Sequence, residues 1–448
     1  MKPFDLIVIG TGSGGSTAAA KCAKAGWNVA QIDSRPFGGT CALRGCDPKK
    51  VLIGAAELVD WTHRMSGKGI QPEVTLNWPE LMAFKDTFTQ PVPDNREEQM
   101  VKLGITPVHG RARFIDDSTI EVEGEHLTAK HFLIAAGAKP APLSTDGKEY
   151  LTDSTEFLNL TQLPKDITFI GGGYISFEFA FLSALAGSKV TILHRGERPL
   201  EQFDEDVVNI LLERARELDI EICLNADVQT ISKEDERFLV SGNQNGEKIE
   251  NMTDCVVHGA GRVPDIDDME LGKANTTRTS KGIQVNDYLQ SVSNPKVYAA
   301  GDCADSKGLP LTPVAGFESH IVASNLLNGN RKKIEYLVQP TTLFTLPPLA
   351  TVGLTEKQAK EQGFDYQVKF KRTDDWYSYK RTNEQYTAFK TITDKDSNTL
   401  LGVHILGSKA EEIINLFAMA INHNLSTTEL KKMIFAYPSH ASDIPYML

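Results

Sequence analysis

The sequence predicts an α/β protein in which two similar strand–turn–helix–strand units are followed by a smaller α+β segment. A buried strand at Phe4–Ile9 runs into a glycine-rich turn, and a strand at Ile167–Ile170 runs into a second such turn. Beyond about residue 335 the pattern changes to alternating strands, such as Thr387–Thr393 and Leu400–Ile405, and an amphipathic helix at Lys409–Asn424. At roughly 100–200 residues per domain, 448 residues accommodate two to four domains.

The first unit has the pattern of a Rossmann-like dinucleotide-binding fold. Gly10, Gly12 and Gly15 form a G-x-G-x-x-G before an Ala-rich helix, Ser16–Ala25, and the next strand ends at Asp33. Glycines let the backbone approach a pyrophosphate, and the helix N-terminus supplies free N–H groups. The Asp33 carboxylate can accept hydrogen bonds from an unmodified ribose.

The second unit repeats the first with different chemistry at its end. Gly171 and Gly173 lie in the turn, and the spacing from Gly171 to His194 equals that from Gly10 to Asp33. Two such turns, each between a strand and a helix, are a much stronger signal than one. His194, Arg195 and Arg198 replace the acid. Because cationic donors suit a 2′-phosphate, we expect this unit to prefer NADPH.

A cysteine pair, Cys41 and Cys46, closely follows the first glycine-rich turn. No second C-x-x-C pair or histidines accompany it, as a zinc site would require. In a cytoplasmic protein a disulfide between two such residues is usually catalytic. Arg44, Lys49 and Lys50 are expected to stabilise a thiolate. The spacing alone leaves a redox role open, and the adjacent dinucleotide unit favours it.

Charge and hydropathy exclude several classes of partner. The net charge of -12 disfavours a nucleic-acid partner, because phosphate binding needs a basic face. No signal peptide and no apolar run of about 18 residues is present, so we expect no membrane partner and a cytoplasmic protein. We expect no metal site.

Motifs along the whole chain carry a resemblance to a known family. They are Gly10–Gly15, Gly38–Lys50, Ala135–Gly137, Gly171–Glu178, Gly261–Pro264, Tyr298–Asp302 and Leu346–Leu354. The chain resembles the class I pyridine nucleotide-disulfide oxidoreductases, the family of glutathione reductase, dihydrolipoamide dehydrogenase and mercuric reductase. The resemblance implies an FAD-binding domain in two parts (1–148 and 266–334), an NAD(P)H-binding domain (149–265) and a dimerisation domain (335–448) that forms a homodimer.

The resemblance also implies roles for individual residues. It implies that Cys46 faces the flavin, that Cys41 attacks the substrate, and that Lys49 and Glu178 form an ion pair beside the flavin. Tyr174 is the ring expected to cover the flavin until nicotinamide displaces it. Further cofactor contacts are expected at Gly39, Thr40, Lys50, Gly137, Ile175, Gly261, Arg262, Gly301 and Asp302.

The chain departs from the family where an acid/base is needed. Disulfide reductases of this type usually carry a His-Pro-Thr segment near the C-terminus, and the histidine protonates the leaving thiol. Tyr437 holds that position here, and a phenol with a pKa of about 10 is a poor base. His440 and Asp443 could instead form a displaced pair. The sequence leaves that pair and a plain surface or interface histidine equally open.

The substrate expected from these features is a low-molecular-weight disulfide. Ala20 and His320 stand where glutathione reductases place carboxylate-binding arginines, so glutathione disulfide is in doubt. The alternatives are an inorganic oxidant such as hypothiocyanous acid, mercuric ion, or an NADPH diaphorase reaction. Mercuric ion is disfavoured because no cysteine follows Cys303. A flavin-bearing binding subunit without catalysis is disfavoured by the intact cysteine pair.

Overall fold

The strands are numbered in chain order. A computed structural model describes residues 3–71 and 73–448. Within them lie the strands β1 Phe4–Ile9, β2 Val29–Asp33, β3 Ile105–His109, β4 Ala112–Phe114, β5 Thr119–Val122, β6 Glu125–Ile134, β7 Ala138–Pro140, β8 Leu151–Thr152, β9 Asp166–Ile170, β10 Lys189–Leu193, β11 Ile220–Cys223, β12 Ala226–Glu234, β13 Arg237–Gln244, β14 Glu247–Thr253, β15 Cys255–His258, β16 Arg262–Pro264, β17 Arg278–Thr279, β18 Gly282–Gln284, β19 Val297–Ala299, β20 Ala304–Asp305, β21 Thr341–Leu343, β22 Leu349–Gly353, β23 Tyr366–Arg372, β24 Ala388–Asp394 and β25 Leu400–Leu406.

The helices are numbered in the same way. They are α1 Ser13–Lys24, α2 Gly39–Arg44, α3 Cys46–Arg64, α4 Trp78–Thr89, α5 Val92–Lys102, α6 Ser154–Phe157, α7 Tyr174–Leu185, α8 Glu205–Glu217, α9 Thr312–Asn328, α10 Glu356–Glu361, α11 Tyr377–Lys380, α12 Ala410–Asn422, α13 Thr427–Lys431 and α14 Ile444–Met447. Short 3₁₀ turns occur at Lys148–Tyr150 and His440–Asp443. Among the described residues, every helix is too short or too polar to cross a membrane.

The chain divides into two compact units, each assembled from three separate segments. The first unit comprises Met1–Lys49, Ala83–Ala141 and Gly261–Tyr336. The second comprises Lys50–Met82, Pro142–Ala260 and Leu337–Leu448. The four-segment division expected from the sequence stays a prediction, because this grouping does not separate the second dinucleotide segment from the C-terminal segment.

The first unit is built on a parallel sheet of strand order β3-β2-β1-β6, and β19 pairs with β6. Its strands are buried on both faces, with Leu6 and Val8 packing on one side and Ile7 and Ile9 on the other. Helix α1 lies against this sheet and is fastened to α9, where the Ser319 hydroxyl accepts a hydrogen bond from the Ala18 N–H at 3.0 Å. This packing fixes the position of the N-terminus of α1, which contains the last glycines of the glycine-rich turn.

The second unit contains a parallel sheet with the corresponding order, β11-β10-β9-β15-β8. Strands β12, β13 and β14 add an antiparallel sheet, and β21-β22-β25-β24-β23 form the C-terminal antiparallel sheet on which α12 packs. The repeated strand order confirms the predicted α/β fold of two Rossmann-like units with a C-terminal α+β region.

Predicted and observed elements differ mainly at their ends. The strand at Lys189–Leu193 has the expected bounds. The first helix begins at Ser13 rather than Ser16, because the turn's last two glycines already lie in the first helical turn. The last long helix spans Ala410–Asn422 and not 409–424, since Lys409 and Asn424 have left-handed backbone angles, with φ of 68° and 51°.

Candidate active site

Gly10 and Gly15 of the glycine-rich turn, and Gly39 beside it, have no room for a side chain. A Cβ on Gly10 would lie 2.2 Å from the Ala135 carbonyl oxygen, and a Cβ on Gly15 would lie 2.5 Å from the Gly10 oxygen. A Cβ on Gly39 would lie 2.4 Å from the Gly12 Cα. No side chain of these glycines therefore covers the backbone N–H groups at the N-terminus of α1, and a ligand can approach them. Such a cradle of N–H groups suits a pyrophosphate.

A cleft in the first unit joins this cradle to the cysteine pair. Its lining includes most of the first-unit residues expected to bind FAD, namely Gly10, Gly12, Asp33, Gly39, Thr40, Gly137, Arg262, Gly301 and Asp302, together with Cys41 and Cys46. The acid, the bare turn and the redox pair of this lining correspond to the ribose, pyrophosphate and reactive ring of a flavin dinucleotide. The residues present therefore fit FAD.

Asp33 also braces the turn. One of its carboxylate oxygens accepts hydrogen bonds from the Thr11 N–H at 3.0 Å and the Thr11 hydroxyl at 2.6 Å. The other accepts the Arg35 N–H at 3.0 Å. Contact with a ribose remains a prediction for this residue.

The buried side chain of Glu318 fixes the backbone next to Asp302 by accepting several hydrogen bonds. Glu318 accepts hydrogen bonds from the Gly301 N–H at 2.6 Å, the Ser306 hydroxyl at 2.7 Å and the Tyr336 hydroxyl. Burial raises the pKa of Asp302, and the Arg262 guanidinium opposes that shift. Glu318 thus fixes the backbone turn that presents Asp302 to the cleft.

The cysteine pair lies at the start of two helices. Cys41 is in α2 and Cys46 is the first residue of α3. Their thiols share a hydrogen bond. The Thr312 hydroxyl, on the first turn of α9, lies 3.7 Å from Cys46 Sγ and also hydrogen-bonds Cys41. Helix N-termini favour negative charge, which suits a thiolate at Cys46.

The raised pKa of Cys41 leaves Cys46 as the member of the pair on which the expected thiolate can form. Arg44, Lys49 and Lys50 were expected to stabilise a thiolate, yet the pKa of Cys41 is raised. Its causes are the hydrogen bond with Cys46, burial and the nearby charge of Asp47, whose carboxylate oxygen lies 3.8 Å from Cys41 Sγ. These contacts therefore favour the protonated form of Cys41.

Both ring nitrogens of His194 bond to the main chain. Its Nδ1 accepts the Gly172 N–H at 3.0 Å, and its Nε2 lies 2.9 Å from the Arg198 carbonyl oxygen. His194 thus braces the second turn, as Asp33 braces the first, and its expected contact with a phosphate stays a prediction.

The guanidinium groups of Arg195 and Arg198 differ in whether other residues of the chain already bind them. The Arg198 guanidinium donates to the Glu201 and Phe203 carbonyl oxygens at 2.9 and 2.7 Å. Arg195 is exposed and makes no hydrogen bond or ion pair to another described residue. The Arg195 guanidinium is thus available to a phosphate, and the phosphate contacts expected of His194, Arg195 and Arg198 stay predictions. The turn itself repeats the first cradle, since a Cβ on Gly171 would lie 2.4 Å from the Gly259 oxygen.

Other expected residues of the second unit are held by their neighbours. Tyr174 begins α7, ahead of Ile175, and its ring packs against Phe203 with centroids 5.3 Å apart. The nearly buried Glu178 carboxylate accepts the Phe344 N–H at 2.9 Å. The Lys50 ammonium lies over the Phe344 ring, 4.4 Å from its centroid. The ion pair expected between Lys49 and Glu178 stays a prediction.

The displaced histidine–aspartate pair does not form within the chain. Asp443 accepts a hydrogen bond from the Ser378 hydroxyl, and the His440 ring lies edge-on to Tyr379 with centroids 5.1 Å apart. Burial, with the charges of Arg381 and Lys409, lowers the pKa of His440 to about 4. His440 is therefore neutral near pH 7. Tyr437 is 80% exposed.

Comparison with known proteins identifies the family. The pyridine nucleotide-disulphide oxidoreductase family matches residues 4–319, and the dimerisation domain of the same family matches residues 339–447. The chain belongs to the pyridine nucleotide-disulphide oxidoreductases. These oxidoreductases use FAD and NAD(P)H and act on disulfide or sulfur groups, so the chain is a flavoprotein oxidoreductase of this kind.

Individual relatives of this oxidoreductase differ in substrate. The mercuric reductase of Lysinibacillus sphaericus is 33% identical over 98% of this chain and 81% of its own length. The glutathione reductase of Nostoc sp. is 32% identical over 99% of both chains. The Cu(II) complex of the HOCl-induced flavoprotein disulfide reductase RclA from Escherichia coli has a TM-score of 0.89, at 27% identity over 100% of this chain and 99% of that one.

Two residues at the redox pair escape prediction from the sequence. Thr312 could have been noticed, because a threonine followed by proline is a common helix start and α9 begins there. The sequence around Asp47 indicates only an acid in the first turn of a helix and no contact with Cys41. Among the described residues, no group of three or more His, Cys, Asp or Glu side chains could hold a metal ion.

Proposed function

We propose that this oxidoreductase is an NADPH-preferring reductase of small oxidised sulfur compounds, working as a homodimer through its C-terminal region. The supporting observation is that Cys41 and Cys46 line the dinucleotide cleft, with the Thr312 hydroxyl beside both sulfurs. When bound, FAD would accept hydride from NADPH and pass two electrons to the Cys41–Cys46 disulfide. The cleft residues then hold and orient the reacting groups.

The first candidate substrate is a low-molecular-weight disulfide. Cys41 loses its proton and attacks one substrate sulfur, so the substrate S–S bond breaks and one thiol leaves. Cys46 then attacks Cys41 Sγ, releases the second thiol and re-forms the Cys41–Cys46 disulfide. Two electrons pass to the substrate, and the two protons of the dithiol end on the two released thiols.

The second candidate is hypothiocyanous acid, and the C-terminal geometry favours it. Thiols have a pKa of about 8.5 and leave best when protonated, yet His440 is neutral and Tyr437 occupies the usual histidine position. Cys41 Sγ attacks the sulfur of hypothiocyanous acid and forms a Cys41–thiocyanate adduct, while the oxygen takes up the Cys41 proton and leaves as water. Cys46 Sγ then attacks Cys41 Sγ, forms the Cys41–Cys46 disulfide and releases thiocyanate, a very weak base that leaves without a proton, and the Cys46 proton is released. No thiol has to leave in either step.

NADPH consumption against a panel of oxidants separates these candidates. The panel holds glutathione disulfide, uncharged small disulfides, lipoamide, hypothiocyanous acid, mercuric ion and a quinone. Fast turnover of a disulfide supports the first candidate, and fast turnover of hypothiocyanous acid alone supports the second. Turnover of the quinone alone would show a diaphorase and contradict the proposal.

Replacing Arg195 with alanine is expected to lower kcat/KM for NADPH by about tenfold or more, since a charge-assisted phosphate contact is lost. The value for NADH should barely change, because NADH has no 2′-phosphate. The exposed Arg216 offers a matched control, as Arg216→Ala removes the same charge from α8. Equal losses with both nucleotides would show that Arg195 does not read the phosphate.

A further inference from the structure

An acidic side chain stands beside the attacking thiol. The Cys41 thiol donates a hydrogen bond to the Asp47 carboxylate, with 3.8 Å between sulfur and oxygen. Asp47 and Cys46 are exposed, and Cys41 is half-buried. Any oxidant that touches Cys41 Sγ therefore comes close to a carboxylate facing solvent.

We propose that Asp47 makes the redox pair selective for uncharged oxidants over anionic ones. The inference deepens the proposed function and rests on Cys41 as the attacking thiol. Its substrate class is neutral small disulfides and undissociated hypothiocyanous acid. Disulfides that carry carboxylates next to their sulfurs react more slowly because of the same charge.

The size of the effect follows from Coulomb's law. A substrate anion some 6–8 Å from the carboxylate, at an effective dielectric constant of about 40, between the value of a protein surface and that of water, loses roughly five- to tenfold in rate for each charge. High salt should suppress the difference, because the screening length falls to about 3 Å at 1 M ionic strength. A neutral oxidant has no such penalty.

Asp47 also has a structural role, which the test must separate. It lies in the first turn of α3, where an acid stabilises a helix. Loss of that stabilisation, or a change in the proton affinity of Cys41, alters the reaction of neutral and anionic reagents by the same factor. The ratio of the two rates isolates the charge effect.

Alkylation of the reduced protein measures that ratio without any turnover. Iodoacetamide and iodoacetate are the same electrophile with charges of zero and minus one. Trypsin cuts after Arg44, so Cys41 and Cys46 fall in separate peptides and the Cys41 peptide is quantified by mass spectrometry. Asp47→Asn should raise the iodoacetate-to-iodoacetamide rate ratio at Cys41 by roughly five- to tenfold.

The matched control is Glu125→Gln, which removes one exposed carboxylate from the start of β6, outside the cleft lining. It should leave the ratio as in the wild type. An unchanged ratio in Asp47→Asn, or an equal rise in Glu125→Gln, overturns the inference.

Steady-state turnover provides a second test of the effect of the Asp47 charge. The kcat/KM ratio of dianionic 3,3′-dithiodipropionate to neutral 2-hydroxyethyl disulfide should rise in Asp47→Asn, and the wild-type ratio should rise with salt. If the kcat/KM ratio changes neither in Asp47→Asn nor with salt, Asp47 does not select between neutral and anionic oxidants. The proposed reductase activity is unaffected by that result. Where the enzyme turns over neither disulfide, the alkylation ratio still decides the role of Asp47, and the disulfide candidate fails separately.

Discussion

Cys41→Ser should abolish NADPH-dependent reduction of the physiological oxidant. A hydroxyl is far less acidic and less nucleophilic than a thiol, so loss of the attacking atom should lower turnover by about a thousandfold or more. The cleft that holds the flavin is left intact. We therefore expect the variant to remain yellow and to retain NADPH-dependent reduction of a quinone. Stopped-flow and steady-state assays on the same preparation measure both activities.

The comparison needs a cysteine that is accessible but outside the site. Cys223 is half-buried in β11 and does not line the cleft. Cys223→Ser should behave as the wild type. Undiminished disulfide or hypothiocyanous acid turnover in Cys41→Ser would mean that electrons reach the oxidant directly from the flavin.

The second large effect is expected from Gly39→Ala. Gly39 has a φ of +74°, and a Cβ there would lie 2.4 Å from Gly12 Cα, so backbone must shift. The left-handed angle costs about 1–2 kcal/mol for a residue with a Cβ, and the collision adds roughly 1–3 kcal/mol. The shift also opens the turn that cradles the pyrophosphate. Loss of most bound flavin, measured by its visible absorbance, is the expected result.

Gly104→Ala separates the collision from the backbone angle. Gly104 has a φ of +75°, and a Cβ on this residue would meet no neighbouring atom within 4 Å. This variant should show the smaller loss of thermal stability and full flavin content. Equal flavin loss in the two variants would show that the angle, and not the approach to Gly12, governs binding.

The fold followed from the sequence because it rests on local signals. Buried strands flanked by glycine-rich turns fix the βαβ units, and the equal spacing of Gly10–Asp33 and Gly171–His194 reveals the repeat. Cys41 and Cys46 were also recognisable, because a catalytic pair stands in one short segment. These features depend on neighbours in the chain and so can be inferred from it.

Side-chain contacts made after folding could not be inferred in the same way. The Gly172 N–H donates to His194 Nδ1. The Ser378 hydroxyl donates to Asp443, and burial lowers the pKa of His440. Neither partner is adjacent in sequence, so no local pattern could have shown them.

The position of β19 has a consequence for synthesis on the ribosome. Residues 132–134 of β6 pair with β1 on one side and with residues 297–299 of β19 on the other. A nascent chain makes Phe132, Leu133 and Ile134 long before it makes their second partner, and residues 142–260 of the other unit emerge in the interval. Until then an apolar strand edge is open to pairing with other chains. Chains truncated before β19 should therefore aggregate, because the exposed edge of β6 is covered only once translation has passed residue 299.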